Sequence, residues 1–302
     1  MGWQRSKGKD GKQYQILELA SAHEMTTLTP SAANSDHEQA GVLEGDVPNR
    51  GKGWFGPGGN GETSNRKMVK GAIELFKRNR VWADGLSTMR TAQEDMPTVT
   101  GVKSLRRKRQ WGASGIEVDM DRVRTGRLDT AWRCYRRQVS TGTRIIKVVV
   151  DMCCNWMVTG KQYIWTGIAA TALIDTLEAS GYRVELEAVC AGTRTYGTRG
   201  YAIRVPLKAA DEPLDIERVL LWTAHPAAFR VYTFQALLAN QLEVEPSLGI
   251  PRPAAEAVAA IYGDRFGLGP EFEALCVPRL HSPKAAQDWI LSVVKAYGLL
   301  DT

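Results

Sequence analysis

From Arg144 to Asp151 the chain reads Arg-Ile-Ile-Lys-Val-Val-Val-Asp, a nearly continuous β-branched run. Such a run, with no alternation of polar and apolar residues, marks a strand buried on both faces. Tyr163 to Ala179 then places Ile164, Ile168, Ala172, Leu173 and Leu177 at helical spacing, with Gly181 at the C′ position. Over Tyr182 to Val189 the period falls to two, Val184, Leu186 and Ala188 alternating with Arg183, Glu185 and Glu187, which predicts a second strand. A strand–helix–strand unit of about 45 residues requires a parallel crossover.

Tyr201 to Leu207 predicts a third strand. A helix beginning at Asp215 is interrupted at His225-Pro226 and resumes from Phe229 to Leu242. Glu273 to Leu280 predicts a further strand. Pro283 to Tyr297 predicts a closing amphipathic helix with Ala286, Trp289, Ile290 and Val293 on one face. Residues 141–302 therefore predict an α/β domain, a Rossmann-like, mostly parallel sheet flanked by helices.

The preceding chain is less regular. Residues 1–52 lack sustained periodicity and predict a disordered or loosely attached arm, with Gln13 to Ala22 its one stretch able to order. Residues 53–140 predict a basic α+β or irregular region packing on the sheet domain. Within it, one helix is expected from about Thr63 to Trp82 and a second from Leu86 to Glu94. Val118 to Val123 and Leu128 to Tyr135 are candidate short elements in a stretch that reads as irregular structure with short strands. The glycine-dense loop at 51–61 has no buried strand before it and no G-x-x-x-x-G-K-[ST] order, so it is not a P-loop.

Charge sharpens the middle of the chain. Of the formal +6, residues 66–137 hold 18 Lys and Arg against 8 Asp and Glu, leaving the remainder slightly acidic. Arg106, Arg107, Lys108 and Arg109 stand beside Trp111, and Arg133, Arg136 and Arg137 beside Trp132 and Tyr135. Cations interleaved with aromatics are what single-stranded nucleic-acid channels use, so residues 103–137 are a candidate nucleic-acid or partner-binding segment. No RRM, KH, OB, helix-turn-helix or zinc pattern accompanies them. There is no run of about 18 apolar residues, so no membrane span is expected. No secretory pattern opens the sequence, and the five cysteines, odd in number and without C-x-x-C, fit a cytoplasmic protein with reduced thiols.

Ligands of doubly wound sheets bind at the carboxyl ends of the strands. Here the first strand of the sheet domain ends in Asp151-Met152-Cys153-Cys154-Asn155. G-x-G-x-x-G is absent, which excludes the usual dinucleotide turn. Asp151 can cap the backbone N–H groups that follow it, or it can hold a cation together with Asn155. Two other residue sets match known chemistry on paper: carboxylates Asp151, Glu185 and Glu187 with Lys147 for a metal-dependent nuclease, and Cys153 or Cys154 with His225 or His281 for a cysteine hydrolase. Glu185 and Glu187, sharing a strand face with Arg183, read more simply as a solvated edge. G-x-S-x-G is absent, which leaves a serine hydrolase without its nucleophile turn.

The order strand, acidic residue, helix, strand, strand, helix, strand, helix resembles the von Willebrand factor A (vWA) domain. It also resembles uncharacterised vWA-like proteins associated with bacteriophages and some bacteria. The family's D-x-S-x-S loop falls on Asp151, Cys153 and Asn155: the aspartate matches, while a thiol and an amide replace the serines. Its later threonine has no single match among Thr193, Thr195 and Thr198, and its later aspartate has none, His281 following the strand instead. Mg²⁺ prefers hard oxygens in octahedral array, so the resemblance implies a degenerate metal site. It further implies a non-enzymatic, phage-type protein-interaction adaptor with no cofactor beyond a candidate Mg²⁺, and another protein, such as an AAA+ ATPase, as partner. Nucleic-acid binding or processing through residues 103–137 is the alternative.

Overall fold

The computed structural model describes residues 2–7, 13–28, 74–76, 81–95, 108–112, 117–136, 144–153, 160–193, 199–225, 227–239, 250–251, 258 and 261–300. Its strands are β1 (Gly2–Lys7), β2 (Gln13–Glu18), β3 (Lys108–Gly112), β4 (Glu117–Val118), β5 (Trp132–Arg136), β6 (Ile145–Asp151), β7 (Arg183–Thr193), β8 (Arg199–Lys208), β9 (Ile250–Pro251) and β10 (Ala274–Val277). Its helices are α1 (Ala22–Thr27), α2 (Ala83–Asp95), α3 (Met120–Arg124), α4 (Gly160–Ala179), α5 (Ile216–Ala224), α6 (Phe234–Ala239) and α7 (Pro283–Ala296), with a π-helical segment at Ala228–Thr233.

The main sheet runs β1-β2-β8-β7-β6-β10, and β9 adds to the end of β7. The pairs β10/β6, β6/β7 and β2/β8 are parallel, while β7/β8, β1/β2 and β7/β9 are antiparallel. The β-branched run thus becomes a central strand, buried from Ile146 onward except at the half-buried Lys147. One sheet face, including Val148, Val150, Leu186 and Ile203, belongs to a large apolar core with α4, α5 and α7. The opposite face, including Val149, Val189 and Ala202, packs against Val258 and Tyr262, which are also helical. A mixed α/β protein with a mostly parallel, helix-flanked sheet results.

Local signals explain the element ends. Asp215 caps α5 by accepting the Arg218 N–H at 3.0 Å, and Ser282 caps α7 by accepting that of Ala285 at 3.2 Å, with Pro283 at the start. Gly181, at φ 94°, ends the α4 region in the left-handed conformation that a C′ residue requires. The helix α4 is buried well beyond the stripe its spacing marks, Ala169, Ala170 and Ile174 included, because α5 and α7 flank it. A Cβ on Gly167 would lie 2.6 Å from the Ala224 Cβ, so glycine is what lets α4 and α5 approach. Thr166 Oγ1 accepts the Leu280 N–H at 3.0 Å, tying α4 to the segment after β10.

Two expectations change. The described part of the anticipated arm, 2–7 and 13–28, is integrated: β2 lies parallel to β8, and Tyr14, Leu17 and Met25 are buried. Gln13 to Ala22, the stretch expected to be able to order, supplies β2, whose apolar residues face both cores. In the stretch expected as irregular structure with short strands, the candidate element Val118 to Val123 is mainly helix, since Asp119 accepts the Asp121 and Arg122 N–H groups and starts α3. The helix expected at Leu86 to Glu94 is present, extended to Ala83–Asp95. Of the one expected before it, 74–76 is helical and Phe76 buried, and the glycine-dense loop at 51–61 lies outside the described residues.

Candidate functional site

At its carboxyl end β6 delivers Asp151 between β7 and β10, opposite Val189, and the residue is 1% exposed. A carboxylate so deeply buried must be compensated by hydrogen bonds or by a cation. Both are supplied by the chain. Oδ1 accepts the Cys153 N–H at 2.9 Å, so the capping role expected for a strand-end aspartate is present. Oδ2 lies 2.9 Å from Nε of Arg279. Because β10 runs parallel beside β6 with Val277 opposite Val150, Arg279, two residues past the strand, is carried alongside the Asp151 loop.

The remaining groups at this strand end are also engaged. Cys153 Sγ accepts the Ala191 N–H at 3.0 Å and donates to the Ala191 carbonyl at 3.3 Å. Burial, then the neighbouring Cys190 and Asp151, push the Cys153 thiol up, the wrong direction for a thiolate nucleophile. Burial and the same two cysteines push the Tyr201 phenol up. The Tyr163 hydroxyl donates to the Met152 carbonyl at 2.5 Å. Cys154 and Asn155 lie outside the described residues, as do Thr195 and Thr198.

These groups do not suit Mg²⁺. One Asp151 oxygen faces an N–H and the other a guanidinium, and the Cys153 side chain at the same strand end is a soft thiol held by backbone. Among the described residues no cluster of three or more His, Cys, Asp or Glu side chains has metal-holding geometry.

A second polar assembly lies on the sheet face that carries Val149 and Val189, and the sequence did not reveal it. Glu187, expected at a solvated edge, is only 6% exposed. Its Oε1 accepts the Tyr262 hydroxyl at 2.6 Å, and its Oε2 accepts from Arg204 at 2.9 Å. Arg204 also pairs with Glu18 and donates to the Tyr262 hydroxyl at 3.0 Å, its guanidinium lying over that ring. Burial opposes the Arg204 charge, but Glu187, Tyr262 and Glu18 outweigh it and raise its pKa. Burial and then Glu187 push the Tyr262 phenol well above its usual range. Lys147 reaches Glu185 at 3.4 Å. The carboxylates considered for a nuclease are therefore each held by a cation of the chain itself.

Neither histidine considered for catalysis is arranged as a base for Cys153. His225 caps α5, accepts the Ala227 N–H on Nδ1 at 3.1 Å, and is enclosed by the Phe76 and Trp82 rings at 5.5 and 4.7 Å. Burial pushes it down to about 3. Burial and Arg279 lower His281. For His225 the unfolded chain takes up a proton near pH 6.5 and the folded chain only near 3, so between these values the unfolded state binds more protons. The fold is expected to lose about 1.4 kcal/mol of stability per pH unit from this group as pH falls through that window. His225→Asn keeps an acceptor, and urea unfolding between pH 7 and pH 5 should show a shallower pH dependence in the variant. Parallel curves would refute the assignment.

Of the basic candidates, Lys108, Arg109 and Trp111 lie on β3, and Arg133 and Arg136 on β5. Arg106, Arg107 and Arg137 lie outside the described residues. The strands β3 and β5 pair antiparallel, with β4 on the other side of β5.

Sheet, helices and strand-end site define a mixed α/β protein whose central-strand aspartate is compensated from within the chain. A family model described as a domain of unknown function, DUF7192, matches residues 68–301, and the chain belongs to that family. The match runs from the basic region through the whole of α7. No curated protein and no solved structure matches. Among the described residues, no helix is long and apolar enough to cross a membrane.

Proposed function

We propose that the protein is a non-enzymatic, vWA-like interaction module in which Arg279 supplies the positive charge that a divalent cation would bring to Asp151. The single observation that carries this reading is the 2.9 Å ion pair between Arg279 Nε and the buried Asp151. A permanently paired carboxylate offers neither an open coordination position nor a free base, and both are needed for metal-assisted hydrolysis. The element order behind the vWA resemblance supports the same reading: β6, α4, β7, β8, α5, β10 and α7 occur in that order, with the π-helical segment, α6 and β9 between α5 and β10.

In this reading the surface around the carboxyl ends of β6 and β10 docks another protein without a bridging metal. The partner class that follows from the resemblance is an AAA+ ATPase of phage or bacterial type. Thermal unfolding of the full chain is expected to be unmoved by Mg²⁺, Mn²⁺ or Ca²⁺, because a ligand shifts the midpoint only if it binds the folded state. Stabilisation by any of the three that disappears in Asp151→Ala would overturn the proposal.

A further inference from the structure

The antiparallel pairing of β3 with β5 brings together two basic–aromatic stretches that are some twenty residues apart in sequence. Arg109 stands opposite Tyr135, and Trp111 opposite Arg133. Residues directly opposite in an antiparallel pair share a sheet face, as do residues two apart on one strand. Arg109, Trp111, Arg133 and Tyr135 therefore belong to a single face, as a two-by-two checkerboard in which each cation has an aromatic both across and along the strands. Glu117 of β4, opposite Arg133, is the one acidic residue that the register adds to it. The other face carries Lys108 opposite Arg136, so both faces of the ribbon are basic.

We infer that this face binds single-stranded nucleic acid, independently of the reading given to Asp151. Charge complementarity selects a polyanion: residues 103–112 and 132–137 hold eight Lys and Arg and no Asp or Glu. The aromatic half of the checkerboard selects unpaired bases, because every base has a face to stack and only an unpaired strand presents it to a flat sheet. Among the described residues of this unit the one α-helix, α3, has five residues, too short to read a duplex groove. Beside the ribbon, α3 has no buried residue, and Met120 and Leu128 are 54% and 59% exposed. Across the ribbon the aromatic and cationic positions stand about 5 Å apart, and along a strand about 7 Å, close enough for one base to stack while its phosphate meets a guanidinium.

Fluorescence anisotropy of the full chain with a labelled single-stranded oligonucleotide, and with its duplex, tests this. The single strand is expected to bind more tightly than the duplex, and its affinity to fall with salt by a log–log slope of about −0.7 per phosphate neutralised. Arg109→Gln with Arg133→Gln should weaken binding and make that slope shallower by about 1.4. Trp111→Ala should weaken binding by roughly tenfold with the slope unchanged, whereas Trp111→Phe, which keeps a ring, should retain most of it. Circular dichroism of each variant establishes that the fold is kept. Absence of binding at low salt, equal binding of the duplex, or affinity unaffected by Trp111→Ala would each overturn the inference, the last leaving an acidic surface as the occupant.

Discussion

Arg279→Ala is expected to destabilise the fold by about 3 kcal/mol or more at neutral pH, the range seen when one partner of a buried ion pair is removed. The cause is the Asp151 carboxylate, 1% exposed and within 2.9 Å of Arg279 Nε. Without the guanidinium the charge keeps the Cys153 N–H but loses this cation, and a buried carboxylate so placed must take a proton or unfold the site around it. Adding Asp151→Asn removes the charge while leaving an oxygen for the Cys153 N–H, so the double variant should recover a substantial part of the loss. Urea unfolding of the wild type, both single variants and the double variant gives the coupling directly. If the two losses simply add, the pair does not carry the strand-end site, and the functional reading built on it fails too.

Glu187→Ala should have an effect of similar size, about 3 kcal/mol, for a different reason. Glu187 is the point where a β7 carboxylate, the β8 guanidinium of Arg204 and the Tyr262 hydroxyl meet. Its loss leaves Arg204 to Glu18 alone among these carboxylates and deprives the buried Tyr262 of its acceptor, with Arg204 still half-buried beside it. The consequence should be regional: amide exchange should accelerate in β2, which Arg204 holds through Glu18, and around Tyr262 before it does in α4. Glu187→Gln keeps an acceptor for Tyr262 but loses the charge, and should fall between wild type and alanine. Uniform acceleration across the chain would show that the assembly does not fasten these elements.

Much of the sheet domain was legible beforehand because its signals are local. A β-branched run, a change of period from 3.6 to two, a capping Asp215, a Pro283 start and a Gly181 stop each act over a few residues, and the elements formed where they pointed. Asp151 was legible as a strand-end residue for the same reason. Its partner was not. After the strand ending near Leu280 the vWA resemblance implies an aspartate, for which His281 stands instead, whereas the residue that meets Asp151 is Arg279. Nothing local distinguishes one cation past a strand from another, and the distinction arises only once β10 is placed beside β6 in a particular register.

Glu187 illustrates the limit more sharply. Alternation along β7 correctly separates two faces, but it cannot say whether the second is wet. That depends on β8 and the distant β2 extending the sheet, and on Val258 and Tyr262, also distant in sequence, covering it. The sequence by itself determined the order and kind of the central elements, the strand-end position of Asp151 and the basic–aromatic character of residues 103–137. Tertiary structure alone decided that Asp151 is paired with Arg279, that Glu187 is buried, and that Arg109, Trp111, Arg133 and Tyr135 share one face. Helix and strand formation follows from spacing within a short window, whereas charge compensation and shared faces depend on which strands become neighbours, and in what register.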